Sequence, residues 1–358
     1  MTRKTVHIIQ TLAPGGIELL VMRLAAENPE KTRVLVLDQA PDRGSEAWDV
    51  AHQYAVKPRF MGKQAGVSVR LIRDLRRVLA QDRPEAVFTH HIGPLLYGGL
   101  ASRLAGVPNL TQVEHDAWHL DNTRQLWLTR AAYALLRPKV AAVSKPVARE
   151  IALRTGQSQV LVIPNGVDVS RFKPGDKAEA RAVFNLPTDK TIVGGVGRLE
   201  YVKGFDILLQ AVSQLPEDFH LALAGSGSQK ETLKDLAASL GMADRVSFLG
   251  NVNKVHRLMP AFDVLAVSSR DEGLPLTVIE AQAANVPVVA TGVGGIPDAV
   301  CPEASQIVPP NDAGALTAAI LMMSQAHVAD APTKFVRRMY NWKDTIRAYE
   351  TLAQGGTL

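Results

Sequence analysis

The sequence predicts an α/β protein made of two doubly wound parallel-sheet domains facing each other across a central cleft. Three observations carry that prediction. Short, almost continuously apolar runs alternate with helix-like segments, the pattern of parallel strands covered on both faces. The alternation starts again after a Pro-Asn-Gly turn at Pro164-Asn165-Gly166. The length, 358 residues, exceeds what one hydrophobic core usually serves, so two domains are expected.

In the first half, Val6–Thr11 is apolar and β-prone and runs toward Gly15-Gly16. Ile17, Leu20, Val21 and Leu24 then recur at helical spacing. Val34–Leu37 reads as a buried strand, as do Ala86–Thr89, Leu110–Val113, Ala141–Val143 and Val160–Ile163. Arg171–Asp189 is polar and proline-bearing, as a linker should be. In the second half the strands are Thr191–Val196, His220–Ala224, Val246–Leu249, Val264–Val267 and Val286–Ala290. The expected organisation is a Rossmann-like domain over 1–168, a second over 169–335, and a terminal helix over 336–358 that crosses back to the first. Ligands of such sheets bind at the carboxyl ends of the strands.

Composition excludes several classes. Hydrophobic residues make up 46% and charged residues 21%, which is globular rather than disordered. No apolar run approaches the roughly 20 residues of a membrane helix; the most apolar stretch, Gly93–Val107, is cut by Arg103. The amino terminus, Met1 to Gln10, runs into a strand without a cleavable leader pattern. A single cysteine, Cys301, fits a reducing compartment, and a cytoplasmic protein is expected. Net charge is +5, unevenly placed: residues 1–170 hold 22 Lys and Arg against 15 Asp and Glu. Much of that excess sits on one amphipathic segment, where Arg70, Arg73, Arg76 and Arg77 oppose Leu71, Leu75 and Val78. Such a face is either an ordinary exposed helix surface or a contact for an anionic membrane, possible at the inner face of the cell membrane.

The chemistry-bearing segments gather at the predicted strand ends of the second half. Gly194-Gly195-Val196-Gly197-Arg198-Leu199…Lys203-Gly204 offers two cations from one glycine-containing loop. Arg can fork two phosphate oxygens, and Lys acts as a mobile point charge. Gly225-Ser226-Gly227 and Thr291-Gly292-Val293-Gly294-Gly295-Ile296 are further strand-to-helix turns. Ser269-Arg270-Asp271-Glu272-Gly273-Leu274-Pro275 leads into a helix carrying Thr277 and Glu280. Eight helical steps would separate the two carboxylates by about 12 Å, a plausible span for two hydroxyl-bearing rings joined by a diphosphate. Alone, the pair would pass for a loop charge and a solvated helix residue. Beside Arg198, Lys203 and three glycine turns it describes a phosphate-and-sugar pocket.

These residues resemble the retaining glycosyltransferases of family 4, which have the GT-B fold. The matching pieces are Gly197-Arg198-Leu199…Lys203-Gly204, Gly225-Ser226-Gly227, Glu272-Gly273-Leu274-Pro275…Glu280-Ala281 and Gly294-Gly295-Ile296-Pro297. In the first half they are Gly15-Gly16-Ile17-Glu18, Thr89-His90, Glu114-His115-Asp116, Val143-Ser144-Lys145 and Pro164-Asn165-Gly166-Val167-Asp168. Asp298 stands where many members have Glu.

The resemblance implies that Arg198 and Lys203 neutralise the donor diphosphate and that Glu272 binds donor-sugar hydroxyls. Gly273, Leu274 and Thr277 join the donor-binding set, Glu280 takes the ribose, and Asn251 and Val252 line the base. Gly16 approaches the phosphates, and His115 lies beside the reacting sugar. It further implies a retaining, metal-independent transfer from a nucleotide-sugar, UDP-sugar favoured, to a glycan or lipid-linked acceptor in bacterial surface polysaccharide assembly. No cofactor, metal or nucleic acid is expected, and no D-x-D sequence occurs.

Among the other histidines, His90 is expected to pack behind the cleft. His115 and His119 have the i, i+4 spacing of some zinc helices but lack the Glu of that pattern. Trp118, Trp127 and Tyr133 are expected chiefly as helix core, with stacking on an acceptor sugar as the alternative. Three rival functions remain. A nicotinamide dehydrogenase would use Gly15-Gly16 and Asp38, but the G-x-G-x-x-G fingerprint is missing. A nucleotide-sugar epimerase or hydrolase could use the same fold. A non-catalytic scaffold would not need Arg198, Lys203, Glu272, Glu280 and His115 together.

Overall fold

The computed structural model describes all residues except 1–4, 14, 46, 47, 49, 51, 53 and 55. Of the segments singled out above, residues 1–4 lie outside the described residues. The chain divides into two compact units, Met1–Pro164 with Thr345–Leu358, and Asn165–Asp344.

The first unit carries a seven-stranded sheet. Its strands are β1 (Thr5–Ile9), β2 (Thr32–Val36), β3 (Arg59–Phe60), β4 (Ala86–His90), β5 (Asn109–Glu114), β6 (Lys139–Ala142) and β7 (Leu161–Val162). They lie in the order β3-β2-β1-β4-β5-β6-β7, all parallel. Val6, Ile8, Val34, Leu35, Val87 and Phe88 are fully buried, which is why these strands read as unbroken apolar runs. The helix Val69–Asp82 begins at Ser68, whose hydroxyl accepts from the Leu71 amide, and ends at Arg83 in the left-handed region. It buries Leu71, Leu75, Val78 and Leu79 against the sheet.

The second unit carries six parallel strands: β8 (Thr191–Val196), β9 (Phe219–Ala224), β10 (Val246–Gly250), β11 (Val264–Val267), β12 (Val288–Thr291) and β13 (Ser305–Val308). Their order is β10-β9-β8-β11-β12-β13. Gly194 on β8 has no alternative as a side chain, because a Cβ there would lie 2.2 Å from the Phe262 ring.

Three expectations need correction. Strands β3 and β13 were not foreseen: β3 is two residues long, and β13 is a partly exposed strand at the sheet edge with Ser305 and Gln306 in it. The supposed linker holds a helix, Lys177–Val183, capped by Asp176. Its Arg181 is buried and bonds Asp263 at 2.5 Å, so a polar composition concealed a docked element. The terminal segment is two helices, Ala331–Met339 and Trp342–Ala353, rather than one from 336. Only from Thr345 onward does it group with the first unit, where the Lys139 ammonium donates to the carbonyls of Gly355 and Gly356.

Candidate functional site

In the second unit the strand order reverses between β8 and β11, the place where open α/β sheets bind ligands. The loops leaving these two strands carry Arg198 and Lys203 on one side and Glu272 on the other. They are tied together by backbone. The Arg270 amide donates to the Val202 carbonyl at 2.8 Å, and the Ser268 hydroxyl to the Lys203 carbonyl at 3.1 Å. Gly204, with φ +63°, permits the approach: a Cβ there would stand 2.1 Å from the Ser268 oxygen. On the other flank, the turn after β12 is pressed onto Glu272. Gly294 has φ +52°, and a Cβ there would lie 1.6 Å from the Glu272 carbonyl oxygen.

A side-chain clamp, missed in the sequence, completes the junction. Arg270 forks the Asp206 carboxylate at 2.9 and 2.7 Å, donates to the Tyr201 carbonyl at 2.6 Å and stacks 3.9 Å from the Tyr201 ring centroid. Planar bidentate geometry of this kind fixes position as well as charge. The only sequence hint was its place two residues before Glu272.

The Lys203 ammonium donates to Glu272 Oε1 at 2.5 Å, and the Ser269 hydroxyl donates to the same oxygen at 2.8 Å. The two charged side chains keep 22% and 10% of their surface exposed, so solvent reaches the pair. Arg198 is exposed. Its neighbour Glu200 accepts from the Ser228 amide and hydroxyl, and these bonds hold its carboxyl below the usual range. Gly273 and Leu274 lead into the helix Leu276–Ala283, with half-buried Thr277 and Glu280 on it. Helical rise therefore covers only part of the interval between Glu272 and Glu280. Arg198, Lys203, Glu272, Gly273, Leu274, Thr277 and Glu280 thus belong to the β8/β11 edge. Asn251 and Val252 follow β10, the edge strand two places from β8.

In the first unit the order reverses between β1 and β4. Gly16 opens the helix Gly16–Glu27 just after β1. His115 directly follows β5 and is 6% exposed. Its Nε2 lies 2.9 Å from Nδ1 of His90, which is fully buried at the end of β4. Burial, with the neighbouring His91, pushes the His115 imidazole down to about 3. Preceding it, buried Glu114 accepts from the Tyr133 hydroxyl at 2.6 Å and from Gln112 at 3.0 Å.

His115 and His119 do not share a helix: one ends a strand, the other sits in the turn Trp118–Asp121. Among the described residues, no group of three or more His, Cys, Asp and Glu is placed to hold a metal ion. The expectation that Trp118 and Trp127 are core is wrong, since they are 61% and 67% exposed, whereas Tyr133 is buried. On the helix Val69–Asp82, Arg70, Arg73 and Arg77 surround Asp74 at 3.6, 3.8 and 3.3 Å, so part of the basic face is internally neutralised. No helix among the described residues is long and apolar enough to cross a membrane.

Comparison with known proteins covers both units. The family model described as glycosyl transferases group 1 matches residues 176–342, and the model described as Glycosyltransferase Family 4 matches residues 14–171. The D-inositol 3-phosphate glycosyltransferase of Mycolicibacterium smegmatis is 45% identical over 150 residues, 40% of this chain and 35% of that protein. The match thus spans about a third of such relatives' length. The putative glycosyltransferase EpsF of Bacillus subtilis is 29% identical over 80% of this chain and 78% of its own. Among solved structures, that of Anabaena Alr3699/HepE in complex with UDP-glucose superimposes with a TM-score of 0.85 at 22% identity, covering 98% of this chain and 99% of that one. The fold class is the GT-B class expected from the sequence.

Proposed function

Because this chain belongs to the family 4 glycosyltransferases, we propose that it moves a sugar, with retention of anomeric configuration and without a metal, from a nucleotide-sugar to a glycan or lipid-linked acceptor. The observation that carries the reading is the Lys203–Glu272–Ser269 group at the β8/β11 switch point. It sets a mobile cation and a sugar-binding carboxylate side by side, where a diphosphate and its attached sugar need one each.

In the proposed reaction the bond from the sugar C1 to the diphosphate oxygen breaks. The acceptor hydroxyl forms its new bond to C1 on the same face, and its proton passes to the departing phosphate. Lys203 and Arg198 stabilise the charge that develops there, the electrostatic task at which fixed cations are most effective. Glu272 orients the sugar hydroxyls with the amides of Gly273 and Leu274, Thr277 joins them in binding the donor, Glu280 holds the ribose, and Asn251 and Val252 border the base. From the first unit, Gly16 serves the phosphates and His115 a hydroxyl of the donor sugar. A UDP-sugar is the preferred donor, supported by the UDP-glucose held by the Anabaena protein. The polysaccharide role is supported by the basic character of residues 1–170.

A thermal-shift screen of UDP-, GDP- and ADP-sugars, followed by product analysis with the labelled donor, tests this. A donor present at 100 times its Kd stabilises by about 2.7 kcal/mol. Stabilisation by one nucleotide-sugar and label transferred to an acceptor are expected. Release of free sugar or of an epimer in the absence of acceptor would replace transfer with hydrolysis or epimerisation. Peripheral attachment to an anionic membrane through Arg70, Arg73, Arg76 and Arg77 is part of the proposal. Flotation with anionic vesicles should fail when those four charges are reversed, and unchanged flotation removes the attachment.

A further inference from the structure

Three imidazoles of the first unit form one line across three neighbouring strands. His7 lies on β1, His90 ends β4, and His115 follows β5. Nδ1 of His7 is 3.1 Å from Nε2 of His90, and Nδ1 of His90 is 2.9 Å from Nε2 of His115. All three rings are buried, at 2%, 0% and 6% exposure. His7 closes the far end, stacked 5.0 Å from Phe88 and tilted against Tyr349 at 5.7 Å between ring centroids.

We propose that His7 and His90 are positioning residues that act through His115, the chain of hydrogen bonds deciding which nitrogen of His115 carries its proton. A neutral imidazole has one N–H and one bare nitrogen, and each of the two links needs one of each. The protons must therefore all stand on Nδ1 or all on Nε2. In the first state His7 donates to His90, His90 donates to Nε2 of His115, and His115 offers its Nδ1–H to a ligand. In the second the donation runs backwards, and a buried N–H is left on Nε2 of His7. Among the described residues the His7 ring makes its hydrogen bond through Nδ1 and none through Nε2, in a residue only 2% exposed, and the hydroxyl of Tyr349, whose ring neighbours that of His7, is buried without a partner. An unsatisfied buried donor is costly, so the structure assigns the first state.

Burial supports the neutrality on which this rests. It pushes His7 down to about 3. Burial, reinforced by His115, His7 and His91, lowers His90 well below its ordinary value. His115 then presents a fixed donor, suited to an oxygen of a sugar hydroxyl. That functional half rests on the proposed contact of His115 with the donor sugar, whereas the tautomer assignment does not.

The test uses the full chain labelled with 15N at its histidine rings and two-bond 15N–1H imidazole spectra near pH 7. His7, His90 and His115 should each show the neutral Nδ1–H pattern, and any one of them as Nε2–H or charged overturns the assignment. His7→Phe should allow Nε2–H to appear on His115. His90→Asn, whose amide can donate from the place of Nδ1, should keep His115 as Nδ1–H. An unchanged His115 signal in His7→Phe overturns the relay, and if that variant does not fold the wild-type spectrum alone decides. In activity, His7→Phe should lower kcat about tenfold with donor KM within about twofold. A moved tautomer with unchanged kcat overturns the positioning role. Wild-type protein inactive with every nucleotide-sugar would instead refute the proposed function and leave the tautomer result standing.

Discussion

The two units present polar chemistry at equivalent edges of similar sheets, but by opposite means. In the second unit the groups are charged, lie on loops and stay partly wet: Lys203 and Glu272 neutralise each other at 22% and 10% exposure. In the first unit the groups are neutral and buried: His7 within β1, His90 at the end of β4 and His115 just after β5 are linked ring to ring. The difference follows from the cost of desolvation. Fully burying an ion pair costs several kcal/mol per ion before attraction repays it, so charges that must handle phosphate remain near water. Imidazoles escape that cost by shedding the proton and can be placed with strand precision. Loops, in turn, need backbone close contacts to hold them, and the second unit supplies these at Gly204 and Gly294.

The largest test of the charged region is to remove one of its charges. Lys203→Ala or Glu272→Ala should lower turnover by at least about 100-fold, the usual cost of losing one preorganised electrostatic group. The melting temperature should move little, because partly exposed ion pairs contribute only about 0–1 kcal/mol. Turnover near the wild-type value in either variant removes the switch-point loops from the reaction.

The next test concerns how those loops are held. Gly294→Ala puts a methyl 1.6 Å from the Glu272 oxygen in a left-handed backbone, so backbone must shift. Gly106 in the first unit has the same backbone sense, φ +72°, with nothing within 4 Å of its would-be Cβ. Gly106→Ala should therefore cost only the conformational penalty of about 1 kcal/mol. Gly294→Ala should cost more, and donor KM should rise as well. Equal loss of stability in urea titrations, with unchanged KM for Gly294→Ala, would mean that the contact does not hold Glu272.

The same contrast explains what could be read from the chain. Continuous apolar runs such as Val34–Leu37 and Val264–Val267 betray buried strands because both their faces are covered. Strand β13, partly exposed at the sheet edge, and the two-residue β3 carry no such run. Glycines and charges close in sequence exposed the Arg198–Lys203 and Glu272–Glu280 loops. The Arg270–Asp206 clamp was hidden because its partners are 64 residues apart. The imidazole line was hidden for a similar reason: His7, His90 and His115 meet only through strand order β1-β4-β5. Burial of Tyr133 but exposure of Trp118 and Trp127 shows the limit of reading aromatic residues as core, since ring size alone does not choose a helix face.

The smallest expected effect probes the neutral region through pH. Unfolded histidines take up protons near their ordinary value of 6.5, whereas folded His7 and His115 resist until about 3. Between those limits the unfolded chain binds more protons than the folded one, so stability falls as pH drops. Each such histidine contributes a slope approaching about 1.4 kcal/mol per pH unit. His90, also lowered by burial first and by its imidazole neighbours next, adds to it in the same direction. Carboxylates titrate too, but they are the same in wild type and in His7→Phe and cancel in the difference. Urea titrations at pH 6, 5.5 and 5 should therefore show His7→Phe losing stability less steeply than wild type, by about one histidine's share. Superimposed slopes would mean that His7 accepts a proton in the folded chain, and the first unit would then hold a charge where only neutral rings are expected.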